Sequence, residues 1–293
     1  MITILDGGMG RELERSGAPF RQPEWSALAL MEAPDTVRAA HARFIEAGAK
    51  VVTTNSYALV PFHIGQERFD SSAERLADLA GRLAREAADA GEGVRVAGSL
   101  PPVFGSYRPD LFRAAEAPAL FAPLVKGLAP HVDLWLAETQ SSLEEAEAAA
   151  TAVKGTGKLL WLSFTLRDGD EATDQPCLRS GQPVEEAARL VSRVGAAAML
   201  FNCSMPEVMQ GALDAARSVL GEGFPLGVYA NAFISQDEDG DANEVVSDIR
   251  ADLTTRAYCD IAASWAANGA TILGGCCGIG TEHIHAMARS LNK

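Results

Sequence analysis

A single (β/α)8 barrel is the fold this sequence predicts, with an open doubly wound sheet as the second possibility. Three observations carry the prediction. Eight short apolar runs are rich in β-branched or aromatic residues; helix-period segments alternate with them along the whole chain; and no Ser/Gly/Pro-rich linker divides the 293 residues. One barrel of this kind takes about 250 residues or more, so residues 1–293 read as a single domain.

The strands are read, in order, as ITILDGG (2–8), AKVVTTNSY (49–57), VRVAGSLP (94–101), VDLWLAETQ (132–140), LLWLSFT (159–165), AAMLFNCS (197–204), PLGVYANA (225–232) and TILGGCC (271–277). Each is bounded by Gly, Pro, Asn, Asp or Ser, which supply turns. Between the first two, Pro34-Asp35 opens a helix that ends near Gly48. From Ser71 to Ala90, the residues Ala73, Leu76, Leu79, Leu83 and Ala87 fall on one helical face. Ser141-Ser142 ahead of Glu144-Glu145, and Pro183 ahead of Glu185-Glu186, mark two further helix starts. An Ala/Trp-rich helix is expected over Asp252 to Asn268. Two connections are long, Pro101 to Asp110 and Ile234 to Asp248. The second contains QDEDGDANE and reads as a solvated acidic loop, because DEDGD lacks the spacing and closing Glu of a calcium loop.

Composition narrows the function. A formal net charge of −14 leaves no basic stripe for phosphate backbones, so nucleic acid and anionic membrane are poor partners. No run of about 18 apolar residues occurs, and MITILDGGMG lacks a basic n-region, so a cytoplasmic protein is expected. The five cysteines, an odd number at irregular positions 177, 203, 259, 276 and 277, suit free thiols in a reducing compartment. The sequence leaves a homo-oligomer open.

Barrels of this class build their sites at the carboxyl ends of the strands. The polar residues there are Asp6-Gly7-Gly8, Asn55, Tyr57, Ser99, Glu138-Thr139, Ser163, Thr165, Asn202-Cys203, Tyr229, Asn231 and Cys276-Cys277. Cys203, Cys276 and Cys277 thus fall on the sixth and eighth strands, close enough around a small barrel to converge. Three cysteines without an obvious fourth protein ligand point to Zn2+ with an open position, a catalytic rather than a closed structural site. The histidines lie away from strand ends, His41 within the first helix. Cys177, in a loop, and Cys259, on a helix, read as structural.

LDGGMGREL, ETQSSLEEAEAA, FNCSMPEVM and ILGGCCGIGTEHIHAMA, spread over the whole chain, resemble the zinc-dependent homocysteine S-methyltransferases, including the betaine and S-methylmethionine enzymes. The resemblance implies that Cys203, Cys276 and Cys277 bind zinc and that homocysteine thiolate completes the tetrahedron. It implies further that Asp6 and Glu138 receive the substrate amino group, that backbone N–H groups around Gly7 and Gly8 hold its carboxylate, and that Asn202 supports the neighbouring ligand. Trp25 would serve the methyl donor, since an aromatic face attracts an onium cation by about 0.5 to 2 kcal/mol, and Tyr57 on the rim is a further substrate-binding candidate. Packing is the other role open to Trp25.

The segment after the seventh strand, YANAFISQDEDGDANE, departs from the family pattern, which leaves the donor open. One barrel has no room for folate- or cobalamin-handling modules, so a small onium donor is expected, S-methylmethionine or another sulfonium before betaine. Zinc deprotonates a bound thiol outright, and three cysteinates leave the site negative and attractive to that cation. The alternatives are another thiol or a selenol as acceptor, and a zinc hydrolase with Glu138 as general base. Thiolate ligation disfavours the hydrolase.

Overall fold

The computed structural model describes residues 2–169, 172, 174–233 and 249–292. Each of the eight apolar runs forms a strand: β1 (Thr3–Ile4), β2 (Val51–Thr53), β3 (Arg95–Leu100), β4 (Leu134–Gln140), β5 (Leu159–Phe164), β6 (Ala198–Asn202), β7 (Leu226–Tyr229) and β8 (Ile272–Leu273). All pair in parallel in the order β1-β8-β7-β6-β5-β4-β3-β2. The circuit closes where Leu5 bridges Val51 and the Asp6 N–H donates to the Val51 carbonyl at 3.1 Å. An open doubly wound sheet would leave two strand edges unpaired, so this closure sets it aside.

Side chains alternate across the barrel wall. Along β4, Leu134 and Leu136 join Leu5, Val51, Trp161, Leu200 and Ile272 inside the barrel, while Trp135 and Ala137 face the helices. The larger outer layer packs Phe44, Phe121, Phe164, Phe201, Tyr258 and Trp265 between strands and helices.

The sequence reads one helix between the first two strands, and the structure corrects this to three: α1 (Met9–Arg15), α2 (Ser26–Glu32) and α3 (Pro34–Glu46). The first two are seven residues each, too short to display a period, and α2 buries five consecutive residues, Ser26 through Leu30. His41, with its α3, therefore follows two shorter helices. α4 (Pro61–Ile64) and α5 (Gln66–Asp89) follow β2; α5 begins five residues before the expected Ser71, because Phe69 already belongs to its buried face. The remaining helices are α6 (Ala117–Leu128), α7 (Leu143–Val153), α8 (Val184–Val194), α9 (Pro206–Leu220), α10 (Thr255–Ala267) and α11 (Thr281–Leu291). Ser142 caps α7 by accepting from the Glu145 N–H, as its spacing to Glu145 predicts.

After β3, the long connection carries a 3-10 turn at Pro109–Leu111. The acidic stretch Ile234 to Asp248 lies outside the described residues. Among those described, no helix is long and apolar enough to cross a membrane.

Candidate metal centre and substrate cavity

One cavity at the carboxyl ends of the strands is lined by Asp6, Glu138, Cys203, Cys276 and Cys277 together with Trp25 and Tyr57. Cys203 directly follows β6, and Cys276-Cys277 follow β8 after two glycines. Close approach requires glycine here: a Cβ on Gly274 would stand 2.5 Å from the Leu5 Cβ, and one on Gly8 2.6 Å from the Cys276 carbonyl oxygen. The three cysteine sulfurs all lie within 4.8 Å of one another.

The ends of β6 and β8 deliver two of the sulfurs to one point, those of Cys203 and Cys276 standing in contact at 2.50 Å. Cys277 is unpaired, its Sγ 4.0 Å from that of Cys276. Thiolates around one tetrahedral zinc, each about 2.3 Å from it, stand about 3.8 Å apart, close to the Cys276–Cys277 separation, so three soft donors on one wall fit such an ion once the Cys203 and Cys276 sulfurs part. Among the described residues no His, Asp or Glu belongs to this group. Cys177 and Cys259 lie elsewhere, the first bridging Pro183, the second on α10 with its Sγ 4.0 Å from the His283 carbonyl.

Asp6 accepts hydrogen bonds from the Thr53 N–H at 2.7 Å and its hydroxyl at 3.1 Å. Glu138 accepts a short one from the Ser99 hydroxyl and a longer one, 3.5 Å, from the Tyr229 hydroxyl. Burial pushes both carboxyls up to about 7, and for Asp6 the charge of Glu138 adds to the rise. Two desolvated carboxyls, one raised further by the charge of the other, suit an incoming ammonium, whose charge favours the ionised form of both.

Glu138 owes its aim to irregular backbone. The β4–β5 register shifts between Ala137 and Gln140, and Thr139 inside this bulge has φ +60°. Cys203 has φ +52°. Such conformations cost non-glycine residues about 1–3 kcal/mol and persist only when the surroundings impose them. Asn202 imposes this one. Its Oδ1 accepts from the Thr139 N–H (2.9 Å) and the Ser163 hydroxyl (2.7 Å), and its Nδ2 donates to Thr139 Oγ1 (2.8 Å), with Asn202 wholly buried.

Trp25 caps the start of α2, its ring 6.4 Å from those of Phe20 and Tyr57 and stacked 6.0 Å from His63. His63 is tied to the Pro23 carbonyl at 2.7 Å, and buried Asn55 donates to the Ser26 carbonyl at 3.1 Å, so the aromatic wall is braced from beneath. Tyr57 exchanges a 2.8 Å hydrogen bond with Ser106. One expectation needs correction. The Gly8 N–H donates to the Ile279 carbonyl at 2.9 Å, so it is committed within the fold and Gly8 acts by close packing. Sequence reasoning missed Thr53, Arg11, Phe20, Tyr107 and Phe233, all on the cavity wall. Thr53 alone carried a signal, two residues before the rim's Asn55; the others lie on a helix and in loops outside the strand ends.

The profile of the homocysteine S-methyltransferase family matches residues 3–291. The homocysteine S-methyltransferase of Escherichia coli is 30% identical, the alignment covering 99% of this chain and 95% of that one. The selenocysteine methyltransferase of Astragalus bisulcatus is 25% identical over 99% and 93%. Among solved structures, the metallated form of the homocysteine methyltransferase MmuM from E. coli superposes with a TM-score of 0.81 at 27% identity, over 98% of this chain and 96% of that one. With a matching barrel, a matching length and a cysteine cluster on the expected face, the chain belongs to the homocysteine S-methyltransferase family and is a methyltransferase.

Proposed function

We propose that the protein transfers a methyl group from a small onium donor, a sulfonium such as S-methylmethionine in first place, to the thiol of homocysteine, giving methionine. The observation that carries this reading is the meeting of Cys203, Cys276 and Cys277 with Asp6 and Glu138 on one cavity: a soft-metal donor set beside an ammonium-binding pair. Zn2+ held by the three sulfurs supplies the deprotonation of an incoming thiol at neutral pH. Cytoplasmic reducing conditions keep those sulfurs available.

The chain's residues do the rest. Asp6 and Glu138, each oriented by two donors, take the substrate ammonium and so place the acceptor sulfur. Trp25 and Tyr57 hold the onium head by its positive charge. The acceptor sulfur attacks the methyl carbon as the bond from that carbon to the donor sulfur breaks; the electron pair stays on the donor, which leaves as a neutral thioether and needs no proton. Holding the two reactants in line is the main demand on the protein.

The likeness to a selenocysteine methyltransferase supports a second acceptor, a selenol, for which the same placement serves. Purified, reduced, zinc-loaded protein incubated with homocysteine or selenocysteine and with S-methylmethionine, S-adenosylmethionine or betaine, with mass-spectrometric detection of product, tests the reading. Turnover is expected with a sulfonium and homocysteine. Betaine outpacing every sulfonium reverses the donor order, and no turnover with any onium donor rejects the proposal.

A further inference from the structure

The described residues lining the cavity include two carboxylates, three cysteines and one cation, Arg11 of α1. Its guanidinium carbon lies 5.9 Å from the centre of the Phe233 ring, and it lines the same cavity wall as Phe20, Trp25 and Cys277. The adjoining Gly10 packs against Phe20 and Trp25: a Cβ there would stand 3.3 Å from Phe20 and 3.9 Å from Trp25. Arg11 therefore stands where the aromatic wall meets the cysteine cluster. It makes a 2.8 Å ion pair with Glu14, whose side chain is 43% exposed, a pair that water already weakens and that a ligand can replace.

Resting on the methyl-transfer reading above, we propose that Arg11 anchors the carboxylate of the onium donor on α1 while its cationic head rests on Trp25 and Tyr57. Charge compels the placement. Asp6, Glu138 and the cysteine cluster attract the onium head but repel an anion, and among the described lining residues only Arg11 reverses that repulsion. A guanidinium also offers paired N–H donors matched to a carboxylate. The acceptor's ammonium is already drawn to Asp6 and Glu138 at the ends of β1 and β4, which leaves the aromatic side to the donor.

The test uses reduced, zinc-loaded protein without acceptor. Calorimetric titration with S-methylmethionine and with its carboxamide compares two ligands that share the sulfonium and differ in the carboxylate. Wild type is expected to bind the acid more tightly. Arg11→Gln should weaken the acid by about tenfold or more, leave the amide within about twofold, and leave the homocysteine KM unchanged; Arg11→Lys should recover part of the loss. Equal loss with acid and amide, equal wild-type affinity for both, no binding of either, or a raised homocysteine KM with donor binding intact would each overturn the proposal. Because the donor titrations require no turnover and only the homocysteine KM does, an absence of methyl transfer would reject the broader reading separately.

Discussion

Asp6 and Glu138 reach one cavity by different routes, Asp6 from the end of β1 with Thr53 beside it, Glu138 from a bulge with Ser99 and Tyr229 around it. Each carboxyl is supported by donors on other strands, so the amide substitutions Asp6→Asn and Glu138→Gln keep shape and remove charge. Both variants should retain metal, since neither residue belongs to the sulfur group. A hydrogen bond to a charged group is worth about 1.5–3 kcal/mol, so the homocysteine KM should rise about tenfold to a hundredfold, as steady-state kinetics at saturating donor would measure. Unchanged acceptor kinetics would assign both residues to the fold alone.

At the scale of elements, the Asn202 side chain ties together the carboxyl ends of β4, β5 and β6 through Thr139 and Ser163. Removing it strands a buried N–H and releases the bulge that aims Glu138. Asn202→Ala should lose about 2–4 kcal/mol in urea unfolding and weaken acceptor binding as well, whereas Asn202→Asp, which keeps the acceptor oxygen, should lose less. If activity survived Asn202→Ala in full, the clamp would be irrelevant to the site. The start of α7 makes a separate prediction. Glu145 accepts from the Ser141 N–H at 2.6 Å, and burial pushes its carboxyl from 4.5 up to about 7. Between those values the folded chain holds a proton that the unfolded chain has released, so this group's contribution to stability is present below about 4.5 and is lost as pH rises through about 7. Glu145→Gln keeps the acceptor and cannot ionise. Its stability relative to wild type should therefore grow from pH 4.5 to 7.5, measured as urea midpoints, and a constant difference would refute the assignment.

For the whole molecule, the cysteine cluster joins β6 to β8 across β7, so an ion held there fastens the barrel at its catalytic end. A ligand present at a thousand times its dissociation constant stabilises by about 4 kcal/mol, which for a chain of this size raises Tm by roughly 6–7 °C. Under reducing conditions zinc should raise the Tm and a chelator should lower it again. Cys276→Ser and Cys277→Ser should lose most of the metal and of this response, whereas Cys177→Ser and Cys259→Ser should keep both.

The order of strands, the Ser142 cap of α7, the start of α8 after Pro183, and the placement of Asp6, Glu138, Asn202 and all three cluster cysteines at strand ends were determined by the sequence itself. Each rests on short-range rules: alternation along a strand, turn formers at its end, Ser or Pro before a helix. Closure of the barrel between Leu5 and Val51, the division of the first crossover into three helices, and the commitment of the Gly8 N–H to Ile279 were decided only by tertiary structure. So were the donors that hold Asp6 and Glu138, the left-handed Thr139 and the approach of Arg11, Phe20, Tyr107 and Phe233 to the cavity. Local periodicity records which way a side chain points from its own strand or helix. It carries no information about the partner that a hydrogen bond or an aromatic wall finds across dozens of residues, because that partner is chosen by packing the whole barrel at once.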